Sequence, residues 1–313
     1  MSKAPSQFRK MPKNLSLKLK LSIAYIIFVA VYGLFVLLPH PNPITLARYG
    51  VSVTGLRLID VSLIVVLALI WLTGFYGYFK LKNYCELIAK DRDGRNVAVL
   101  SRGVLMLVLW LPISGSVMAI LDYLTMHNPG MKVATDLIND YINLIIPLIG
   151  FVFISFGARG LSELAHNRPS HRAINLMAGS LIFIGLAYFQ LVSTMPQRET
   201  IYHMSIWLIL ITIATPYVYM WFIGLLAVYE IYNYRRKVAG LVYRRSWNLL
   251  AVGLGWIIIT SIGLQYLVTL SSYLDMLSIY ETLLIIYSLL VSIAIGFVLI
   301  AAGTRKLQRI EEV

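Results

Sequence analysis

The side chains able to perform covalent or metal chemistry are few and scattered. The histidines are His40, His127, His166, His171 and His203, and none has a second histidine four residues away or the carboxylate spacing of a zinc-binding helix. The densest polar cluster runs from Ser162 to Arg172 and holds Glu163, His166, Asn167, Arg168 and His171. Such a set suits a metal, a phosphate or a lipid-modifying reaction through Glu163, His166 and His171, but between two apolar runs it reads more simply as a solvated connection. Cys85 is the only cysteine, so no intramolecular disulfide can form; it reads as a small packing residue, with reversible acylation as the alternative. No lysine lies inside an apolar run, which excludes a Schiff-base chromophore. No glycine-rich phosphate loop is present, and Gly94, in Asp91-Arg92-Asp93-Gly94, reads as a turn. No catalytic residue, metal ligand or cofactor site is therefore expected.

Neutral polar and helix-breaking residues within apolar runs are the remaining candidates. One group is Trp110, Pro112, Ser114 and Ser116; another is Thr215, Pro216, Tyr217 and Tyr219. Proline has no amide donor and frees the carbonyl four residues earlier, here those of Val108 and Thr212. Carbonyls freed in this way, beside hydroxyls, can line a polar path through a membrane. Pro147 similarly frees the carbonyl of Asn143. With Asp122, Asp140, Gln190 and Gln265, Asn143 forms a candidate outer vestibule for a cation or polar solute; interhelical hydrogen bonds averaging about 0.6 kcal/mol explain the same residues more plainly.

The elements that must hold these residues are membrane helices. Of the 313 residues, 59% are apolar and 13% charged, against about 45–50% and about 25% in soluble domains. The charges bound uncharged intervals at 21–39, 61–79, 103–121, 141–158, 173–197, 204–229, 246–274 and 282–304. About 20 apolar residues cross a hydrocarbon core of about 30 Å, whereas barrel strands take about 10 and alternate polar with apolar. The expectation is an all-α, polytopic protein with eight transmembrane helices. The basic residues before Leu21 precede a run long enough to span, with no small-residue cleavage pattern after it, so a cleaved signal is not expected.

Orientation follows from the 27 lysines and arginines. With the N-terminus inside, all but Arg48, Arg57, Lys132 and Arg198 fall on the cytoplasmic side, at every loop in turn. Both termini are thus expected in the cytoplasm of a cell membrane. The net charge of +13 caps apolar segments rather than forming a nucleic-acid face, and predicts anionic lipids as partners of the inner rim. Tyr76, Tyr78, Tyr84, Tyr229, Tyr232, Tyr234 and Tyr243 read as an interfacial aromatic belt.

The ends of the fourth and eighth intervals match at a shift of 146 (296 minus 150), pairing Gly150, Gly157 and Arg159 with Gly296, Gly303 and Arg305. Phe151, Val152, Ile154 and Leu161 also repeat, and Tyr141 matches Tyr287. A shorter echo, Leu121 to Leu124 against Leu264 to Leu267, sits at a shift of 143 with Arg102 against Arg245. Glycines seven apart share a helix face and permit close packing, while the arginines sit at the inner interface. These matches predict a parallel 4+4 internal repeat, with a basic tail at 1–20, one half at 21–165 and the other at 166–313. The leading functional expectation is a small permease or channel-like protein for an ion or polar solute. The alternative is a non-catalytic scaffold or complex subunit, with a membrane-protein partner or a second copy of the chain.

Overall fold

Backbone amides and carbonyls find no partner in hydrocarbon, so uncharged intervals of this length must satisfy them internally as helices. The computed structural model describes residues 53–89, 92–166, 206–237, 240–274 and 279–311. Its helices are α1 (Val53–Leu87), α2 (Arg92–His127), α3 (Lys132–His166), α4 (Ile206–Lys237), α5 (Leu241–Leu274) and α6 (Ile279–Glu311), with a 3₁₀ turn, Pro129–Met131, between α2 and α3. Among the described residues there is no strand. The expected intervals at 61–79, 103–121, 141–158, 246–274 and 282–304 fall within α1, α2, α3, α5 and α6, and that at 204–229 falls within α4 from Ile206 on, its first two residues lying outside the described ones. Those at 21–39 and 173–197, and the tail at 1–20, lie outside the described residues.

Among the described residues five stretches are long and apolar enough to cross a bilayer: Val65–Leu87, Asp93–Ser114, Ile145–Leu164, Leu241–Gly263 and Leu284–Ile310. This is the construction of a membrane-embedded helical protein. The helices have 32 to 36 residues, or about 50 Å at 1.5 Å per residue, more than the roughly 40–45 Å of a bilayer with its headgroups. Their basic ends therefore project past the hydrocarbon unless the helices tilt strongly.

Each described helix packs against two neighbours, in the order α1, α2, α3, α4, α5, α6 and back to α1, which closes a ring. The α2–α3 and α5–α6 contacts are the most extensive, and glycine explains why. A Cβ on Gly103 would lie 2.5 Å from the Gly150 carbonyl oxygen, and one on Gly253 would lie 2.7 Å from that of Gly296. Further along, Gly157 abuts the Asn96 carbonyl and Leu100 amide, both at 2.6 Å, while Gly303 abuts the Ser246 carbonyl at 2.7 Å. Backbones thus touch directly, which maximises dispersion contact where lipid supplies no hydrophobic drive. Inside the ring Leu81, Leu100, Ile223, Leu250, Phe297 and Leu307 are buried, whereas Leu72, Phe222, Ile259 and Leu284 cover the outside. That outward apolar surface suits acyl chains rather than water.

Contacts recur along the chain. The Trp71 indole donates to the Val108 carbonyl at 3.1 Å, and the Trp221 indole donates to the Ile258 carbonyl at 3.2 Å; both partners are displaced by 150 residues (221 minus 71, 258 minus 108). Gly74 presses on Val108 as Gly224 presses on Ile258. Asn83, Tyr84, Arg95, Leu100 and Gly103 find their own kind at Asn233, Tyr234, Arg245, Leu250 and Gly253 under the same shift. The echo at 143 therefore gives way to 150 for α2 and α5, while α3 and α6 keep 146. A slip of seven residues is about two helical turns. It leaves each residue on the same face, so an apolar pattern matches in either register and only the backbone contacts distinguish them.

Two tight junctions close the basic end. Gly240, with φ of 95°, turns the chain between α4 and α5, a left-handed conformation that glycine adopts without steric cost. Gly94, expected in a turn, instead stands in the first turn of α2, against the Ile88 carbonyl, where no Cβ fits. Cys85 lies half-buried there, its thiol 3.4 Å from the Gly94 carbonyl oxygen.

Candidate functional site

Three of the expected polar residues come together between α2 and α3. The Trp110 indole donates to Asn143 Oδ1 at 3.2 Å and the Ser114 hydroxyl donates to the same oxygen at 2.5 Å. Trp110 and Ser114 are buried and Asn143 is half-buried. Asn143, assigned from sequence to an outer vestibule, is thus joined to two residues assigned to a path. The α2 and α3 helices continue through Pro112 and Pro147, and α4 continues through Pro216. The carbonyl that Pro112 frees, that of Val108, is the one that accepts the Trp71 indole. An indole N–H from α1 thereby replaces the amide that proline lacks.

The remaining candidates are spread more widely. Tyr217 is buried and Tyr219 half-buried on α4. Ser116 and Asp122 lie on α2, Asp140 on α3, Thr215 and Pro216 on α4, and Gln265 on α5; their side-chain environments are outside the described residues, as is the whole of Gln190. Gly150 and Gly157 line the α2–α3 contact, and Gly296 and Gly303 the α5–α6 contact. Arg159 pairs with Glu163 one turn on, Nε to Oε1 at 2.8 Å, while Arg305 is exposed on α6. The stretch from Ser162 to His166, expected in a connection, instead continues α3, with the side chains of Ser162, Glu163 and Leu164 described; residues 167–172 lie outside the described residues. Among the described residues no group of histidine, cysteine and carboxylate side chains could hold a metal ion.

A second cluster, at the basic end, joins α2 to α4 and α1 to α5, which are not ring neighbours, as well as neighbouring helices. The Tyr234 hydroxyl of α4 donates to Asp93 Oδ2 of α2 at 2.7 Å. Trp247 of α5, 1% exposed, meets the Tyr234 ring edge-on at 5.0 Å and the Tyr84 ring of α1 at 6.5 Å. Gln308 of α6 donates to the Lys80 carbonyl of α1 at 2.7 Å. Five of the six described helices therefore meet in one aromatic and polar seam. Trp247 Nε1 in the seam, and Asn83 Oδ1 on the residue before Tyr84, are buried without a hydrogen-bond partner among the described residues. Each such group costs about 1–3 kcal/mol, so a donor and an acceptor stand ready for any arrangement that satisfies them. Sequence reasoning placed Tyr84 and Tyr234 in an interfacial belt. The signal for something more specific was the Asn-Tyr pair at 83–84 and again at 233–234.

Comparison of the chain with protein-family models, curated proteins and solved structures gives no match. The functional argument therefore rests on the geometry.

Proposed function

We propose that this chain is a small, non-enzymatic permease for an ion or polar solute, built from two parallel four-helix halves around an axis along the membrane normal. Eight crossings, both termini in the cytoplasm of a cell membrane and a basic inner rim interacting with anionic lipids complete the reading. The observation that carries it is the seam of Tyr84, Asp93, Tyr234 and Trp247. It links α2 to α4 at the basic end through one hydrogen bond and α1 to α5 through one edge-on ring contact, with Trp247 and Tyr234 packed edge-on between the neighbours α4 and α5. Those contacts are few and separable, whereas the backbone contacts of Gly103 with Gly150 and Gly253 with Gly296 hold each helix pair as a unit. The recurrence of the indole-to-carbonyl bond at 150 residues supports the duplication. Parallel repeats of this kind form sites between their halves. The intervals 103–121, 141–158 and 204–229 hold no charged side chain, so the conducted species is expected to meet neutral polar groups there.

The test is uptake by proteoliposomes. Purified protein should carry radiolabelled rubidium or urea above the protein-free rate; if neither moves, the permease reading fails. A scaffold role is the second reading, favoured by the complete burial of Leu81, Leu100, Ile231, Leu250 and Leu307 toward the basic end. Co-purification of a stoichiometric membrane partner, together with absent uptake, would establish it instead.

A further inference from the structure

The helix ends on either side of the two basic-end junctions correspond at a shift of 150, yet they carry different chemistry. On α1, Lys82 pairs with Glu86 at 3.8 Å, and Asp91 and Asp93 follow. The matching stretch from Ile231 to Arg245 has no acidic residue; it holds Arg235, Arg236, Lys237, Arg244 and Arg245. Topology makes the same demand on both junctions, so it does not explain the difference.

The α4 side is also organised. The Arg236 guanidinium lies 4.7 Å from the Tyr232 ring centroid and donates to its hydroxyl at 3.3 Å, and Arg235 lies over the same ring at 4.9 Å. Hydrogen bonding from Arg236 and the positive charge around it lower the Tyr232 phenol pKa from its usual value. Arg235 is further fixed by Asn248 of α5. Neither Arg236 nor Lys237 has a carboxylate partner among the described residues, and both are exposed. Beyond them Val218, Phe222, Leu225, Tyr229, Tyr232 and Arg236 are spaced alternately four and three apart, forming one exposed stripe along α4. From Val218 to Tyr229 that stripe is about 16 Å long at 1.5 Å per residue, the depth of one leaflet of a roughly 30 Å core.

We infer that this face of α4 is a binding site for one anionic phospholipid of the leaflet at the basic end, its phosphate held by Arg236 and Lys237 beside Tyr232 and its acyl chains laid along Phe222, Leu225 and Val218. A planar guanidinium fixed against a ring presents its N–H groups to phosphate oxygens with little further ordering. The apolar stripe selects a lipid over a soluble phosphate. The site requires membrane embedding alone and stands apart from transport.

Native mass spectrometry of the full-length protein tests it, with dioleoylphosphatidylglycerol and dioleoylphosphatidylcholine as probes. The wild type should retain the anionic lipid preferentially. R236Q/K237Q should weaken that binding about 30-fold, at about fivefold for each charge removed. R305Q/K306Q, which removes the same charge from the exposed end of α6, should change it less than twofold. Excess glycerol phosphate should not compete. Equal weakening by the two variants would show diffuse attraction and overturn the site. Competition by glycerol phosphate would make it a soluble-anion site and overturn the lipid assignment. Absence of any headgroup preference, as when a protein segment covers the stripe, would overturn it as well.

Discussion

Replacing Trp71 by phenylalanine should reveal whether an indole stands in for a proline's missing amide. Trp71 is 6% exposed and its Nε1 lies 3.1 Å from the Val108 carbonyl, which Pro112 cannot serve. An ordinary hydrogen bond between membrane helices is worth about 0.6 kcal/mol, because an unfolded chain in the membrane finds other partners. Leaving a buried carbonyl unsatisfied costs about 1–3 kcal/mol, and Pro112 makes that larger figure apply. The loss of ring volume in Trp71→Phe adds a separate cost, so the informative quantity is a double-mutant cycle with Pro112→Ala, whose amide restores the helical bond. The expected coupling is at least about 1 kcal/mol, with Pro112→Ala rescuing Trp71→Phe. The matched contact supplies a control. Ile262 occupies the position equivalent to Pro112, so Trp221→Phe leaves the Ile258 carbonyl its amide and should cost only about 0.6 kcal/mol in hydrogen bonding. Reversible unfolding in mixed detergent micelles measures all of these. A coupling between Trp71→Phe and Pro112→Ala below about 0.5 kcal/mol would refute the substitution of indole for amide.

Other expectations follow from the same packing. Gly157→Ala places a Cβ 2.6 Å from the Asn96 carbonyl and the Leu100 amide, both backbone atoms that cannot swing aside, and should destabilise by about 1–3 kcal/mol. Gly255→Ala meets nothing nearer than 3.6 Å and should stay within about 0.5 kcal/mol of the wild type in the same unfolding measurement. Asn143→Ala removes the acceptor of both Trp110 and Ser114; a loss of about 1–3 kcal/mol is expected, and Asn143→Asp, whose neutral carboxyl keeps a carbonyl acceptor, should restore part of it.

Much of the fold was legible because charge and apolar length are enforced by the bilayer itself. The charges at Lys80, Arg159 and Arg305 mark where the apolar intervals stop, while the helices run on to Leu87, His166 and Glu311; only Arg235 stands close to a helix end, that of α4 at Lys237. The glycine pairs Gly150 with Gly157 and Gly296 with Gly303 announced close packing, but not that Gly103 and Gly253 complete the contact on the facing helix. Partner choice is a three-dimensional matter that helical periodicity does not encode. The same periodicity made a shift of 143 look as good as 150. At the candidate site, sequence reasoning identified Trp110, Ser114 and Asn143 as polar residues of interest but could not foresee that they satisfy one another. The proline rule located the Val108 carbonyl without revealing that Trp71, 37 residues away, would reach it. Tyr84, Tyr234 and Trp247 fit an interfacial belt by composition. Only the geometry shows them converging with Asp93 across the ring.

The central claim is that the seam joining Asp93 to Tyr234 and Tyr84 to Trp247 parts. Electron–electron double resonance between spin labels at Ala89 and Leu241, both exposed near the two junctions, in a Cys85→Ala background reconstituted in lipid, tests it most directly. The account predicts a second, longer distance component whose weight rises when Asp93→Asn and Tyr234→Phe remove the hydrogen bond. A single distance, unchanged by those substitutions, would contradict it.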